Sequence, residues 1–298
     1  MRNGWWLLLV AGGGVAAQSV RSGLLVSTDW LAAHLADPKV VVLQVTRNPE
    51  AFRAGHIPGA RLLGWDRIAP ARDGLPAELP PAAELVEQLE VLGVGDDTRV
   101  VLYGDNLGLA AARAWFTLDY LGHGDHAALL DGGWEKWRAE GRPISQQEAT
   151  PARGRLTPRV RPWVLADLAR VRELADRPGA GGLLVDARPP AEYRGEKPSG
   201  NPSRAGHIPG AVNIYWLDAL AGRENPVLRS EAELRRLFEQ AGAQPGRRLV
   251  CYCVAGVQAA YVYFLARYLG YEAALYDGSL AEWNRTAGTP LSAGSERD

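Results

Sequence analysis

Cysteine is nearly absent from this chain: 298 residues hold two, Cys251 and Cys253. An exported domain stapled by disulfides carries more of them and further apart, so no disulfide framework is read here. A Cys-x-Cys pair without a companion Cys or His pair also lacks the ligand set of a tetrahedral zinc site. Neither sign of charge is in excess, with 33 Lys and Arg against 34 Asp and Glu. Bulk attraction to nucleic acid or an anionic membrane is therefore excluded, and any anion binding must come from local geometry. The uncharged stretch Trp5–Ala17 is too short to span a bilayer with margin. The Gly-rich pieces at 12–14 and 179–182 match no phosphate-loop spacing, nothing resembles a dinucleotide fingerprint, and no cofactor is expected.

That short apolar stretch has another reading. Arg2 before it and the small residues Val15-Ala16-Ala17 ahead of Gln18 have the form of a secretory signal over residues 1–17. The expected location is periplasmic or secreted, by a route needing no twin arginine. An uncleaved first helix would leave the chain cytoplasmic, but Gly12-Gly13-Gly14 disfavours a helical segment there.

With 47% apolar and 22% charged residues, the chain has the composition of a globular protein and the length of two domains. The octapeptide RAGHIPGA occurs twice, at Arg53–Ala60 and Arg204–Ala211, and its surroundings repeat with it. After the first copy come AAELVEQLEVLGV (82–94), RVVLY (99–103), AAARAWFTLDYLG ending at Gly122, and LDGGWEKW (130–137). After the second come EAELRRLFEQAGA (231–243), RLVCY (248–252), AAYVYFLARYLG ending at Gly270, and YDGSLAEW (276–283). The segments VVVLQV (40–45), LLVDA (183–187), RVVLY and RLVCY are short, rich in branched residues and bounded by turns, which predicts buried strands. Between them apolar residues stand three and four apart, as at Leu234, Leu237 and Phe238, which predicts amphipathic helices. Such alternation implies an α/β fold with a mainly parallel sheet in each half, flanked by helices. The halves are placed at 24–142 and 163–291, joined by a proline-rich, exposed linker over 143–162.

Ligands of open parallel sheets gather where strands end and helices begin. RLVCYCVAGVQAAYVYF has that form, with the loop Cys253, Val254, Ala255, Gly256, Val257, Gln258 leading into a helix from Ala259. Inward amides and a helix N-terminus there should help the Cys253 thiol to ionise, provided the sulfur is reachable. Cys251 lies inside the strand, where it fills core volume. The corresponding loop of the first half, YGDNLGLAAARA, is one residue longer and offers Gly104 or Asp105 in place of the thiol.

The paired GHIPGA loops, LLVDAR, the cysteine loop and the closing DG…W motifs together resemble a tandem rhodanese, a sulfurtransferase family. The resemblance implies two rhodanese-like domains, the first silent and the second catalytic. In the catalytic half the Cys253 thiolate would take a sulfane sulfur from a small anionic donor and pass it, through a persulfide, to a thiophilic acceptor such as cyanide or a thiol. It implies donor-binding roles for Arg188 and Arg194, with a surface or structural ion pair to Asp186 or Glu192 as the alternative, and for the loop Val254, Ala255, Gly256, Val257 and Gln258. Thiosulfate is the donor expected of an exported member and 3-mercaptopyruvate the alternative, although Gln44 and Ala255 stand where the mercaptopyruvate branch keeps an assisting aspartate and serine beside His56. His56 and His207 are read first as local turn stabilisers, and Trp134, Trp137 and Trp283 as packing aromatics.

Two other functions compete. A cysteine phosphatase needs an arginine six positions after its thiol, where this chain has Ala259. A sulfur-carrying or binding module without turnover would suit the uncharged loop VAGVQ.

Overall fold

A computed structural model describes residues 19–179 and 181–294; the signal expected over 1–17 lies outside the described residues. The first half contains strands β1 (Leu25–Val26), β2 (Val40–Thr46), β3 (Arg61–Gly64), β4 (Arg99–Gly104) and β5 (Ala127–Leu130). They form one sheet in the order β1-β5-β4-β2-β3. Strands β6 (Leu165–Ala166), β7 (Leu183–Asp186), β8 (Val212–Asn213), β9 (Leu249–Tyr252) and β10 (Ala273–Tyr276) repeat that order in the second half, β6-β10-β9-β7-β8. All pairings within both sheets are parallel. Central strands are apolar on both faces because helices cover both: Val41, Val42 and Leu43 in β2, and all four residues of β9, are buried. The chain thus has the α/β class that its alternating pattern predicts.

Helix formation follows local signals. Ser230 and Glu233 form a capping box that starts the helix Glu231–Gln240, which then buries Leu234 and Phe238 one turn apart. The helices Leu109–Tyr120 and Val257–Tyr268 are buried almost all round, since each packs on its own sheet and on the other helix across the seam between domains. Phe116 meets Tyr263 edge-on, with ring centroids 5.1 Å apart, and Trp115 meets Phe264 in the same way at 5.1 Å. One apolar core therefore runs through both halves.

Polar contacts fix the register of that seam reciprocally. Asp277, in the DG motif of the second half, accepts the Leu79 N–H at 2.7 Å and makes a two-pronged ion pair with Arg113, whose side chain is wholly buried. Asp131, in the DG motif of the first half, accepts the Leu228 N–H at 2.9 Å. The same motif in each half holds a loop of the other.

Most residues of the proline-rich connection are exposed, as its composition suggests, but its backbone is tied down. Although its prolines lack N–H groups, the residues between them donate to carbonyls at the C-terminal ends of first-half helices. Gly154 N–H bonds Glu90 O at 2.8 Å, Arg159 N–H bonds Leu121 O at 2.8 Å and Arg161 N–H bonds Tyr120 O at 2.7 Å. Leu156 is buried between these ties. The segment is a strap laid along the first half.

Candidate active site

The two halves align through their tyrosines. Tyr252 ends β9 and its hydroxyl accepts the Ile208 N–H at 3.1 Å, as Tyr103 accepts the Ile57 N–H at 3.1 Å. Both N–H groups belong to the repeated GHIPGA loops. The residue after each tyrosine is then Cys253 in one half and Gly104 in the other, which settles the pairing that loop length left open. A Cβ at Gly104 would lie 2.2 Å from Val45 O, so no side chain fits there. The extra residue, Asp105, turns its carboxylate to the Thr46 hydroxyl at 2.6 Å and the Arg47 N–H at 2.9 Å. The first half offers no thiol and no space for one.

In the second half the chain turns sharply after Cys253. Gly256, at φ +71°, caps the helix that begins at Val257, two residues earlier than its apolar spacing suggests. Left-handed geometry is where glycine is at ease, and it lets the first helical amides turn back toward the strand end. Burial pushes the Cys253 thiol above its ordinary pKa, while the backbone N–H groups of Ala259, Ala255 and Gln258, hydrogen-bonded to the sulfur, pull the other way. Burial wins. The amide cradle is present as expected, but two expectations are corrected: the resting thiol ionises less readily than a free cysteine, and Cys253 is only 1% exposed. The turn after β10 packs on the backbone of the loop: Leu280 N–H bonds Cys253 O at 3.1 Å and Ala281 N–H bonds Val254 O at 2.9 Å. Val254, Ala255, Val257 and Gln258 are half-buried around the sulfur, and Gly256 is buried.

Arg188 is also corrected. It is fully buried, and its Nε and Nη2 both bond the Asp186 carboxylate, at 3.0 and 2.5 Å. Its remaining donors reach Ser199 Oγ at 2.7 Å and Gly206 O at 2.9 Å. These bonds take four of its five N–H donors, and the arginine stitches the end of β7 to the second GHIPGA loop. Arg194 lies on the surface, paired with Glu196 at 2.6 Å.

The histidines act locally. His56 stacks on Phe52 at 3.9 Å, with its ring nitrogens 2.9 Å from Phe52 O and 3.1 Å from Gln147 O. His207 stacks on Tyr193 at 3.8 Å and contacts its carbonyl at 2.7 Å. Gln44, at the relay position, accepts from the Tyr103 hydroxyl. Trp137 and Trp283 are buried and donate to Pro143 O and Pro290 O. Trp134 is half-buried and lines a cleft of about 450 Å³ with Arg47, Asp105 and Glu135, at the place in the first half that the thiol loop occupies in the second. A cleft of about 750 Å³ opens at the seam near Glu78 and Tyr276, and Cys253 does not line it. Cys251 is buried in β9, free, with its thiol pushed far above the ordinary range by burial.

One residue of the site escaped sequence reasoning. Ser279 Oγ lies 3.2 Å from the Cys253 N and 3.0 Å from the Gly256 N, accepting from both. The signal was there: the two DG motifs align as Asp-Gly-Gly and Asp-Gly-Ser, and the serine falls in the half with the thiol.

The model of the rhodanese-like domain matches residues 27–140 and again 169–286. The sulfur carrier protein TtuD of Thermus thermophilus is 38% identical over 291 residues, covering 92% of this chain and 98% of that protein. A thiosulfate sulfurtransferase of Corynebacterium glutamicum is 34% identical, covering 91% and 90%, and a probable 3-mercaptopyruvate sulfurtransferase of Pseudomonas aeruginosa is 34% identical, covering 92% and 99%. The crystal structure of SseA from Escherichia coli, a 3-mercaptopyruvate sulfotransferase, superposes with a TM-score of 0.76 at 26% identity, covering 86% of this chain and 98% of that one. Doubled sheets, a thiol at the strand-to-helix turn of one half and these matches across both halves place the chain in the rhodanese family, as a tandem member with two rhodanese-like domains.

Proposed function

We propose that the protein is a sulfurtransferase that moves a sulfane sulfur from thiosulfate to a thiophilic acceptor through a persulfide on Cys253. The observation that carries this reading is the place of Cys253, at the sharp turn from β9 into the helix Val257–Tyr268, with the backbone amides of Ala255, Gln258 and Ala259 beside its sulfur. Thiolate and persulfide are both anionic sulfur, and fixed amide dipoles hold either without reorganising between steps.

In the first step the Cys253 sulfur, having lost its proton, attacks the outer sulfur of thiosulfate. The S–S bond of the donor breaks and sulfite leaves with the electron pair. In the second, the acceptor attacks the terminal sulfur of the persulfide; that S–S bond breaks, the product departs, and the thiolate is restored. For cyanide the product is thiocyanate. With Cys253 only 1% exposed, the loop must open to admit a donor, and a small anion keeps that movement small.

Thiosulfate is preferred because Gln44 and Ala255 replace the acid and hydroxyl of the assisting relay, and because residues 1–17 have the form of an export signal. A buried thiol with a raised pKa dictates the pH dependence. Below the thiol's pKa the thiolate fraction grows about tenfold per pH unit, so the sulfur-loading step should accelerate by roughly 50- to 100-fold between about pH 7 and 9. Turnover with thiosulfate and 3-mercaptopyruvate, each with cyanide as acceptor across that range, tests the proposal. A higher kcat/KM for thiosulfate with a rising limb supports it. Preference for mercaptopyruvate overturns the donor assignment, and sulfur loading without turnover favours the carrier role named for the Thermus relative.

A further inference from the structure

We infer that Ser279 is a positioning residue for the transfer step, holding the cysteine loop in the shape that aims its amides at the sulfur; the inference rests on the sulfur-transfer reading of Cys253. Three observations converge. Ser279 is fully buried and adopts φ +48°, a left-handed conformation that side chains other than glycine rarely adopt. Its hydroxyl oxygen accepts the N–H groups of Cys253 and Gly256, the two ends of the loop, and donates to Tyr276 O at 2.8 Å. Its counterpart in the half without a thiol is Gly133, at φ +54°.

The comparison between halves separates fold from function. Both DG turns need the same left-handed residue, and glycine meets that need without strain, as the first half shows. The second half keeps a strained serine at the one position from which a hydroxyl can take both loop ends. Strain held in place by surrounding hydrogen bonds is a feature of functional sites.

The accounting of loop amides shows what the hydroxyl does. Cys253 N–H and Gly256 N–H point to Ser279, whereas Ala255, Gln258 and Ala259 point to the sulfur. Without the hydroxyl, two buried donors face no acceptor, and a buried donor without a partner drives the backbone to find one. Cys253 or Gly256 would rotate, and the three sulfur-directed amides would rotate with them. Ser279 does not touch the reacting atoms; it acts through the loop.

The test uses Ser279→Gly, which keeps the left-handed turn and removes only the hydroxyl, with Ser279→Ala as a second variant and Cys253→Ser alongside. The rate of Cys253 alkylation by iodoacetamide is followed against pH, together with thermal melting and single-turnover sulfur loading from thiosulfate. The expected result for Ser279→Gly is a folded protein that melts within a few degrees of the parent, strain relief offsetting part of the lost hydrogen bonds, with an alkylation profile displaced toward higher pH by roughly one unit and loading slowed about tenfold to a hundredfold. An alkylation profile coincident with the parent's in a folded Ser279→Gly protein would overturn the inference, since strain relief alone moves melting and leaves the thiolate untouched. If instead Cys253→Ser kept full transfer, the reading of Cys253 would be the one that failed.

Discussion

Cys253→Ser is expected to lower kcat/KM for sulfur transfer by at least about a thousandfold, because the residue that carries the covalent intermediate cannot be replaced by its oxygen analogue. A hydroxyl does not ionise near neutral pH, and oxygen forms no bond with sulfane sulfur comparable to a persulfide. The same substitution should leave the fold nearly unchanged. Serine is close in size to cysteine, and the N–H groups of Ala255, Gln258 and Ala259 that surround the thiol are ready donors to a hydroxyl oxygen. Melting within a few degrees of the parent, with transfer lost, is the combined signature. Cys251→Ser should behave in the opposite way. That residue is sealed within β9. A new hydroxyl there has no ready partner and should cost about 1–3 kcal/mol of stability while transfer per folded molecule continues. Two thiols two positions apart thus separate cleanly into one that works and one that packs.

Arg188→Gln should cause the largest loss of stability. Arg188 and Asp186 are both fully buried and satisfy each other through at least two charge-assisted bonds. Removing the guanidinium leaves the Asp186 carboxylate in the core without its counter-charge, and breaking a buried pair in this way costs about 3–5 kcal/mol. For a chain of this length that is a fall in melting temperature of roughly 5–8 °C. Arg188→Lys keeps the charge but loses the fork that also reaches Ser199 and Gly206, and should fall between the two. Thermal denaturation, paired with KM for thiosulfate on the folded fraction, separates this structural role from donor binding. An unchanged KM with a lowered melting temperature supports it; a raised KM with normal melting would return Arg188 to the donor site.

Much of this was legible in the sequence because duplication writes a fold twice. Strand runs such as VVVLQV and LLVDA and the helical spacing of Leu234 and Phe238 made the α/β architecture legible, and the strand-loop-helix form of RLVCYCVAGVQAAYVYF set Cys253 just after a strand end. What could not be read depended on neighbours distant in sequence. Whether Arg188 faces solvent or Asp186 is decided by how the second GHIPGA loop closes over β7, and Gly206 lies 18 positions further on. The strap over 143–162 looks like a linker because proline content reports missing donors, not the helix ends waiting for those that remain. The turn at 277–281 bonds the backbone of the cysteine loop from 23 and more positions away, and no local pattern around the cysteine reveals that packing. Ser279 was visible as a difference between two copies of one motif, but its meaning needed the left-handed backbone.

The most direct test of sulfur transfer at Cys253 is the mass of the intact protein and of its cysteine-containing peptide after incubation with thiosulfate, before and after cyanide. The account predicts a gain of about 32 Da, one sulfur, confined to Cys253 and removed by cyanide with formation of thiocyanate. A sulfur found on Cys251, or no gain at Cys253 under conditions in which the protein turns over, would contradict it.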